Sequence, residues 1–326
     1  MNNHPLIERE IIDTKGFHDV PLTLMTSGEP TIYFVNTETI LRDNGEFAQH
    51  GDNAGAMYKY SIGLMGKNPV FKDIIYILAD EAHRLLGKRN NVAISGGQRR
   101  DWLFSAPVAK ALELPHISLY KQEDGKEDRI EVHVNGGRQE YISIKDFHVV
   151  HVADLLTTAE SYYGANPDKD KACRTGWLPM LRNAGATIDD TIAVVSRCQG
   201  GEEKLEKLGV HAHSFVRIDE PFLRANSKYP EKTIDAFKKD KQWAKSYLAE
   251  HGALELLAYF DPAGAKLARA KKFYNLYRDH LDAVDKLADL ELAVLQKYGM
   301  PLENVLSGKP WGPEPARWSD RPNKNL

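Results

Sequence analysis

Short apolar runs recur along the first two-thirds of the chain, and polar residues flank each of them. The run at residues 149–152 is rich in β-branched side chains, a pattern that predicts a strand buried on both faces, and the runs at 92–94, 116–119, 191–195 and 210–216 predict further strands. Stretches of helical character lie between several of these runs. Strands that alternate with helices indicate an α/β fold, with a parallel sheet flanked by helices.

Cap residues and apolar spacing predict two helices beside these strands. Asp73 precedes an amphipathic stretch that ends at Gly87, so we expect a helix between them. A second helix is expected at residues 106–112, after a loop that runs from Gly96 to Ser105.

Turn residues predict two hairpins. Asn-Gly-Gly at residues 135–137 lies between alternating stretches at 130–134 and 141–144, which is a strong hairpin signal. Near the N-terminus, residues 20–36 are expected to form two short strands joined by the turn Ser-Gly-Glu-Pro at 27–30.

The pattern changes at Pro221, after which it is helical. Between Phe273 and Ala288 the apolar residues share one helical face. We therefore predict an α/β domain at residues 1–220 and an α-helical extension with a Pro- and Trp-containing tail at residues 221–326.

The stretch from His148 to Ser161 carries the main candidate chemistry. Its strand ends near Asp154, and hydroxyl side chains follow at Thr157, Thr158 and Ser161. Ligands bind beyond the carboxyl ends of parallel strands, where an acid, hydroxyls and backbone N–H groups suit a sugar diol, a cation and a phosphate. The alternative is that Asp154 is only an acid at the end of a strand.

A second candidate site follows the strand at residues 92–94. The glycine pair Gly96 and Gly97 lets backbone N–H groups approach an anion, and Arg99 and Arg100 add cationic side chains suited to phosphate. The alternative is a surface loop with solvated arginines.

Composition and charge exclude several classes of function. The chain has 326 residues and a formal net charge of -3, which gives no electrostatic reason to expect a nucleic-acid or membrane partner. Its 2 cysteines are too few for a disulfide framework or a thiolate-rich zinc site. The N-terminus lacks a signal-peptide core, and no apolar run is long enough to span a bilayer, so we expect a cytoplasmic protein.

The motifs together resemble those of the type I phosphoribosyltransferase family, and within it the chain is most similar to orotate phosphoribosyltransferase. The signature of this family is an apolar strand, two acids, two apolar residues and a Thr-Thr-Gly-Gly-Ser loop, and residues 153–161 (ADLLTTAES) occupy that frame. Residues 26–36 resemble the N-terminal hood segment, residues 106–109 resemble the helix after the pyrophosphate loop, and residues 195–201 resemble the stretch whose arginine meets the orotate carboxylate.

The resemblance implies an activity and a set of site residues. Such enzymes transfer ribose 5-phosphate from phosphoribosyl pyrophosphate to a nucleobase with Mg²⁺ as cofactor, and the implied partners are these small molecules and a second copy in a homodimer. Asp154 is the implied metal residue, and it is catalytic together with Lys121 and Lys126. The implied substrate-binding residues are Thr157, Thr158, Ala159, Glu160, Ser161, Gly96, Gly97, Arg99, Arg100, Arg197, Thr26 and Phe34.

Several residues depart from this signature. Ala153 replaces the first acid, and Ala159 and Glu160 replace the two glycines of the phosphate loop. Glu160 also fits a capping box with Thr157, and Arg197 fits a structural ion pair as well as a ligand contact. Two functions therefore remain open: a Mg²⁺-dependent phosphoribosyltransferase acting on orotate or a similar base, and an inactive protein of the same fold that senses a nucleotide, base or phosphate.

Overall fold

The computed structural model describes residues 3–25, 27–120, 129–139, 142–164, 175–240 and 242–309. The chain forms two compact units. The first comprises Met1–Phe17 and Val35–Asn226, and the second comprises His18–Phe34 and Ser227–Leu326.

The secondary structure follows the chain in this order. The strands are β1 Phe17–Leu24, β2 Pro30–Val35, β3 Val92–Gly97, β4 His116–Leu119, β5 Ile130–Val134, β6 Gly137–Gln139, β7 His148–Leu156, β8 Thr187–Ser196 and β9 His211–Arg217. The α-helices are α1 Pro5–Asp13, α2 Ala54–Lys67, α3 Pro69–Leu86, α4 Asp101–Ala111, α5 Glu160–Tyr163, α6 Trp177–Asn183, α7 Gly201–Lys207, α8 Glu220–Asn226, α9 Glu231–Lys239, α10 Trp243–His251, α11 Leu267–Ala283, α12 Leu287–Tyr298 and α13 Leu302–Ser307. Short 3-10 helices cover Thr37–Leu41, Glu46–His50 and Leu254–Phe260.

The first unit is built on one sheet in the order β6-β5-β4-β3-β7-β8-β9. In this order, the adjacent strands β4, β3, β7, β8 and β9 run parallel to one another. The strands β5 and β6 are antiparallel to their neighbours and form one edge of the sheet. The prediction of an α/β fold with a parallel sheet and flanking helices is confirmed. The parallel arrangement brings the carboxyl ends of β3, β7 and β8 to one edge, where the candidate residues follow these strands.

Two helices begin earlier than predicted. Asp73 is not the cap of α3, because the Asn68 side chain accepts a hydrogen bond from the Phe71 N–H at 3.0 Å and Pro69 takes the first helical position. The helix expected at residues 106–112 begins at Asp101 and contains Pro107. The loop after β3 is therefore much shorter than the sequence suggested.

The hairpin in the first unit also differs from its prediction. Asn135 and Gly136 both have positive φ, of 51° and 82°, and form a two-residue turn. Gly137 therefore begins β6, and residues 142–144 do not form a strand. Tyr141 lies outside the described residues.

An apolar cluster packs the sheet of the first unit against its helices. It includes Ala93 and Val149 from the sheet and Leu178 and Leu181 from α6, all of them buried. Among the described residues, no helix is long and apolar enough to cross a bilayer.

The second unit combines the β1–β2 hairpin with the helices from α9 onward. Backbone atoms of the hairpin bond to helical residues, as in the hydrogen bond from Arg269 Nη1 to the Leu24 carbonyl at 3.0 Å. The predicted pair of N-terminal strands, β1 and β2, is present. The described part of the C-terminal extension consists of helices, as predicted. The division differs from the predicted boundary at residue 220, because residues 18–34 group with Ser227–Leu326 in the second unit.

Candidate active site

A sharp turn follows β7 and forms the centre of the site. β7 ends at Leu156, residues 157–159 make the turn, and the four-residue helix α5 begins at Glu160. Ala159 is the N-cap of α5 and makes no side-chain cap hydrogen bond. Glu160 is therefore the first residue of its helix, and the capping box between Thr157 and Glu160 is not formed.

Ala159 takes the left-handed conformation that a glycine would favour, with φ of 60°. An alanine in this conformation costs roughly 1–2 kcal/mol. Its methyl group is buried in the apolar cluster with Leu156 and Tyr162, so it lies in the core and does not fill the turn. The replacement of the loop glycine by Ala159 thus leaves the concave side of the turn open.

The turn presents backbone and hydroxyl donors. Among the described residues, no acceptor bonds the backbone N–H groups of residues 158–161 or the hydroxyls of Thr157, Thr158 and Ser161. The threonines are half-buried, and Glu160 and Ser161 are exposed. Successive N–H groups around a left-handed residue form an anion-binding concavity. The turn is therefore shaped to hold a phosphate.

Asp154 is buried near the end of β7, with 8% of the residue exposed. The hydroxyl of Thr37 donates to its Oδ2 at 2.7 Å, and its own backbone N–H donates to Asp101 Oδ1 at 2.9 Å. Asp101 is the first residue of α4, so the Asp154 backbone is bonded to the start of the helix that follows the glycine loop.

These two acids hold different charges. Burial raises the pKa of Asp154, and the negative charge of Asp101 raises it further, to about 7. Burial alone would raise the pKa of Asp101 too, but His151, whose Nε2 lies 3.5 Å from Asp101 Oδ2, and the Asp154 N–H lower it overall. Below about pH 7 Asp154 therefore keeps its proton, whereas Asp101 carries a negative charge.

The glycine pair Gly96 and Gly97 was predicted to lie in a loop, but it forms the end of β3 and uses some of its donors internally. The Gly97 N–H bonds Asp101 Oδ2 at 3.0 Å, and the Gln98 N–H bonds the Leu119 carbonyl at 2.8 Å. A Cβ on Gly97 would lie 2.4 Å from the Trp177 ring, so glycine is required for this packing. An anion bound here would therefore accept hydrogen bonds from other N–H groups or from the arginine side chains.

The two loop arginines are both engaged within the first unit. Arg100 forms an ion pair with Glu38, and its side chain is 51% exposed. The Arg99 guanidinium lies 5.5 Å from the centre of the Phe47 ring. Surface contacts such as this ion pair and this cation–ring contact contribute little to stability, so either guanidinium group can leave its partner and bind a phosphate.

The turn after β8 packs directly on the turn at residues 157–159. Arg197, which is 6% exposed, donates its backbone N–H to the Leu156 carbonyl at 2.9 Å. A Cβ on Gly201 would lie 2.4 Å from the Thr157 carbonyl oxygen. The structure therefore brings Arg197 to the same sheet edge as residues 154–161.

Four other predicted site residues are not among the described residues of the first unit. Thr26, Lys121 and Lys126 lie outside the described residues. Phe34 belongs to the second unit, where it is 38% exposed and its ring lies 5.6 Å from that of His18. Their predicted roles stay predictions.

Three residues that shape this site were assigned no role from the sequence. Asp101 directly follows the glycine and arginine loop, so its position was a usable signal. Thr37 lies far from Asp154 in sequence, and Gly201 resembles any glycine that begins a helix, so no local pattern marked either of them.

The residues present fit a metal ion only in part. Among the described residues, no group of three or more His, Cys, Asp or Glu side chains is arranged to hold one. Mg²⁺ keeps several waters and commonly joins one or two carboxylates to substrate phosphates. Both oxygens of Asp101 already accept hydrogen bonds, from the N–H groups of Asp154 and Gly97, so of the two acids only Asp154, once ionised, is suited to an ion that arrives with a pyrophosphate.

Comparison with known proteins decides the family. No protein-family model matches the chain. Adenine phosphoribosyltransferase of Klebsiella pneumoniae subsp. pneumoniae is 30% identical over 171 residues, which are 45% of this chain and 83% of that protein. The chain belongs to the type I phosphoribosyltransferase family.

Other members of the phosphoribosyltransferase family show shorter or weaker similarity. Orotate phosphoribosyltransferase of Methanocella arvoryzae is 36% identical over 69 residues, 21% of this chain and 33% of that protein. The crystal structure of orotate phosphoribosyltransferase from Aeropyrum pernix has 16% identity and a TM-score of 0.42, over 67% of this chain and 97% of that chain. The predicted family is confirmed, while its similar members include both adenine and orotate enzymes.

Proposed function

We propose that this phosphoribosyltransferase transfers ribose 5-phosphate from phosphoribosyl pyrophosphate to a nucleobase, and that the base is orotate. The observation that carries the proposal is the turn at residues 157–161, whose N–H groups and hydroxyls have no acceptor among the described residues. The 5-phosphate is the anion that would complete it.

The chemistry of the transfer reaction explains the other polar residues at this edge of the sheet. Breaking the bond between C1 of the ribose and the pyrophosphate leaves positive charge on the sugar and negative charge on the leaving group. Asp154 accepts a hydrogen bond from a ribose hydroxyl, and Arg99 and Arg100 lie on the loop that meets the pyrophosphate. Mg²⁺ bound to the pyrophosphate would supply further positive charge to the departing group.

Arg197 supports orotate as the base. It is a buried cation at the same edge as the phosphate turn, and a guanidinium group suits a base that carries a carboxylate. Adenine, the substrate named for the Klebsiella relative, has no such group. The homodimer and the cytoplasmic location stay predictions.

Calorimetric titration with phosphoribosyl pyrophosphate and Mg²⁺ tests the phosphate turn. Thr158→Val keeps the shape of the side chain but removes a hydroxyl donor to a charged group, so we expect the Kd to rise about tenfold. The control is Thr233→Val in α9, which leaves the turn intact. An unchanged Kd in Thr158→Val would exclude the turn as the phosphate site, and binding without product from orotate or adenine would indicate a sensor on the same fold.

Replacing Arg197 tests the choice of base. Arg197→Met removes the cation, and we expect kcat/KM for orotate to fall at least about tenfold through the loss of a charge-assisted hydrogen bond. The affinity for phosphoribosyl pyrophosphate, measured on the same variant, is the control and should be unchanged. Turnover of adenine and not of orotate by the natural chain would contradict the proposal.

A further inference from the structure

The first unit contains a cavity of about 600 Å³ beside the antiparallel edge of its sheet. The end of β4, the strands β5 and β6, and the first turns of α2 line it, and residues 154–161 take no part in its lining. Its size lies in the range of pockets that hold small molecules.

Positive charge predominates around this cavity. The buried carboxylate of Glu131 meets Arg129 Nη2 at 2.5 Å and Arg138 Nη1 at 3.4 Å, so two guanidinium groups face one acid. Lys59 adds a third cation, and Asp52 at the exposed rim is the second acid of the lining. Among the described residues, the lining therefore has three cations and two acids.

The N-terminus of α2 opens on the same cavity. α2 has 14 residues, its cap Asn53 accepts from the Ala56 N–H at 2.9 Å, and the Ala54 N–H donates to the Tyr120 hydroxyl at 3.3 Å. The Gly55 N–H has no acceptor among the described residues. The partial positive charge of a helix N-terminus favours an anion here.

A buried histidine points into this first turn. His133 is 2% exposed, and neither of its ring nitrogens has a hydrogen-bond partner in the described part of the chain, although Nε2 lies 3.4 Å from Glu131 Oε2. Its Cε1, the atom between the two nitrogens, lies 3.8 Å from where a Cβ on Gly55 would be. The ring therefore turns its nitrogen-bearing edge toward α2, and unsatisfied polar groups at such depth are costly unless a ligand or water bonds them.

We propose that this cavity is a second anion site, which binds a small molecule through a phosphate monoester. The phosphate would lie at the N-terminus of α2 between Lys59 and Arg138, and the rest of the molecule would extend toward His133. A dianion with three acceptor oxygens suits the surplus charge and the several donors better than a carboxylate does.

Titrations followed by backbone amide resonances of the ¹⁵N-labelled full chain test this site. The probes are inorganic phosphate and ribose 5-phosphate, with ribose and acetate as the neutral and carboxylate controls. Saturable shifts are expected at Gly55 and Gly136 with both phosphates. Absence of a saturable shift at these two glycines would overturn the proposal, and so would binding of ribose or acetate as tight as that of ribose 5-phosphate.

Substitutions separate this cavity from the turn after β7. The double variant Lys59→Gln with Arg138→Gln should raise the Kd for ribose 5-phosphate, read at Gly55, at least about tenfold. Lys67→Gln, at the other end of α2, is the matched control and should leave it unchanged. Thr158→Val should weaken binding read at the turn and leave the Gly55 response intact. A Gly55 response that survives the double variant, or is lost in Thr158→Val, would contradict a separate site.

Discussion

Gly201→Ala is expected to weaken the binding of phosphoribosyl pyrophosphate at least about a hundredfold. The new methyl group would lie 2.4 Å from the Thr157 carbonyl oxygen and 3.2 Å from the Ala159 nitrogen, both backbone atoms. Backbone cannot swing aside as a long side chain can, so the turn that receives the phosphate must move. Overpacking of this kind costs about 1–3 kcal/mol of unfolding free energy. Calorimetry and chemical denaturation measure the two effects.

Gly66→Ala is the control for this substitution. Gly66 lies within α2, and a Cβ added there would meet no atom within 4 Å outside its own helix, so alanine should stabilise the helix slightly and leave the ligand affinity unchanged. Gly201→Ala with natural affinity would show that the contact between the two turns does not shape the site.

Asp154→Asn is expected to raise the free energy of unfolding, relative to that of the natural chain, more at pH 8 than at pH 4. The native pKa of Asp154 is raised to about 7, whereas an unfolded aspartate has a pKa near 3.9. Between these values the unfolded chain loses the proton that the native chain keeps, so the contribution of Asp154 to stability falls as pH rises from about 4 to about 7. Asparagine has no such proton, and the relative gain at pH 8 should reach about 2–4 kcal/mol.

The measurement is the free energy of unfolding at a series of pH values. Asp189→Asn replaces an exposed acid on β8 and should leave the pH dependence unchanged. A parallel pH dependence in Asp154→Asn and the natural chain would show that Asp154 is not the proton-holding acid. At pH 8, where Asp154 is ionised, the same variant should bind phosphoribosyl pyrophosphate more weakly, because an amide is a poorer acceptor for a ribose hydroxyl than a carboxylate.

The parts of the fold that could be predicted are those with a local pattern. Apolar runs placed the parallel strands, and the hydroxyl residues after Leu156 marked the turn that follows β7. The cap of α3 was placed wrongly because Asp73 and Asn68 are both good cap residues, and only the hydrogen bond from the Phe71 N–H distinguishes them.

The parts that could not be predicted depend on contacts between distant residues. The bond from Thr37 to Asp154 joins segments that no periodicity connects, and the charge on Asp101 depends on the nearby His151. The sequence also gives no direction for the methyl group of Ala159, because that direction is a property of the packed core.

The membership of the β1–β2 hairpin in the second unit has a consequence for biosynthesis. The hairpin leaves the ribosome before the residues it packs on, which begin at Ser227 and follow the α/β unit in the chain. An isolated two-stranded hairpin is marginally stable in water, and its apolar face stays exposed while the α/β unit folds. A chain stopped at Asn226 would leave that face permanently uncovered, and we expect such a product to aggregate or attract chaperones.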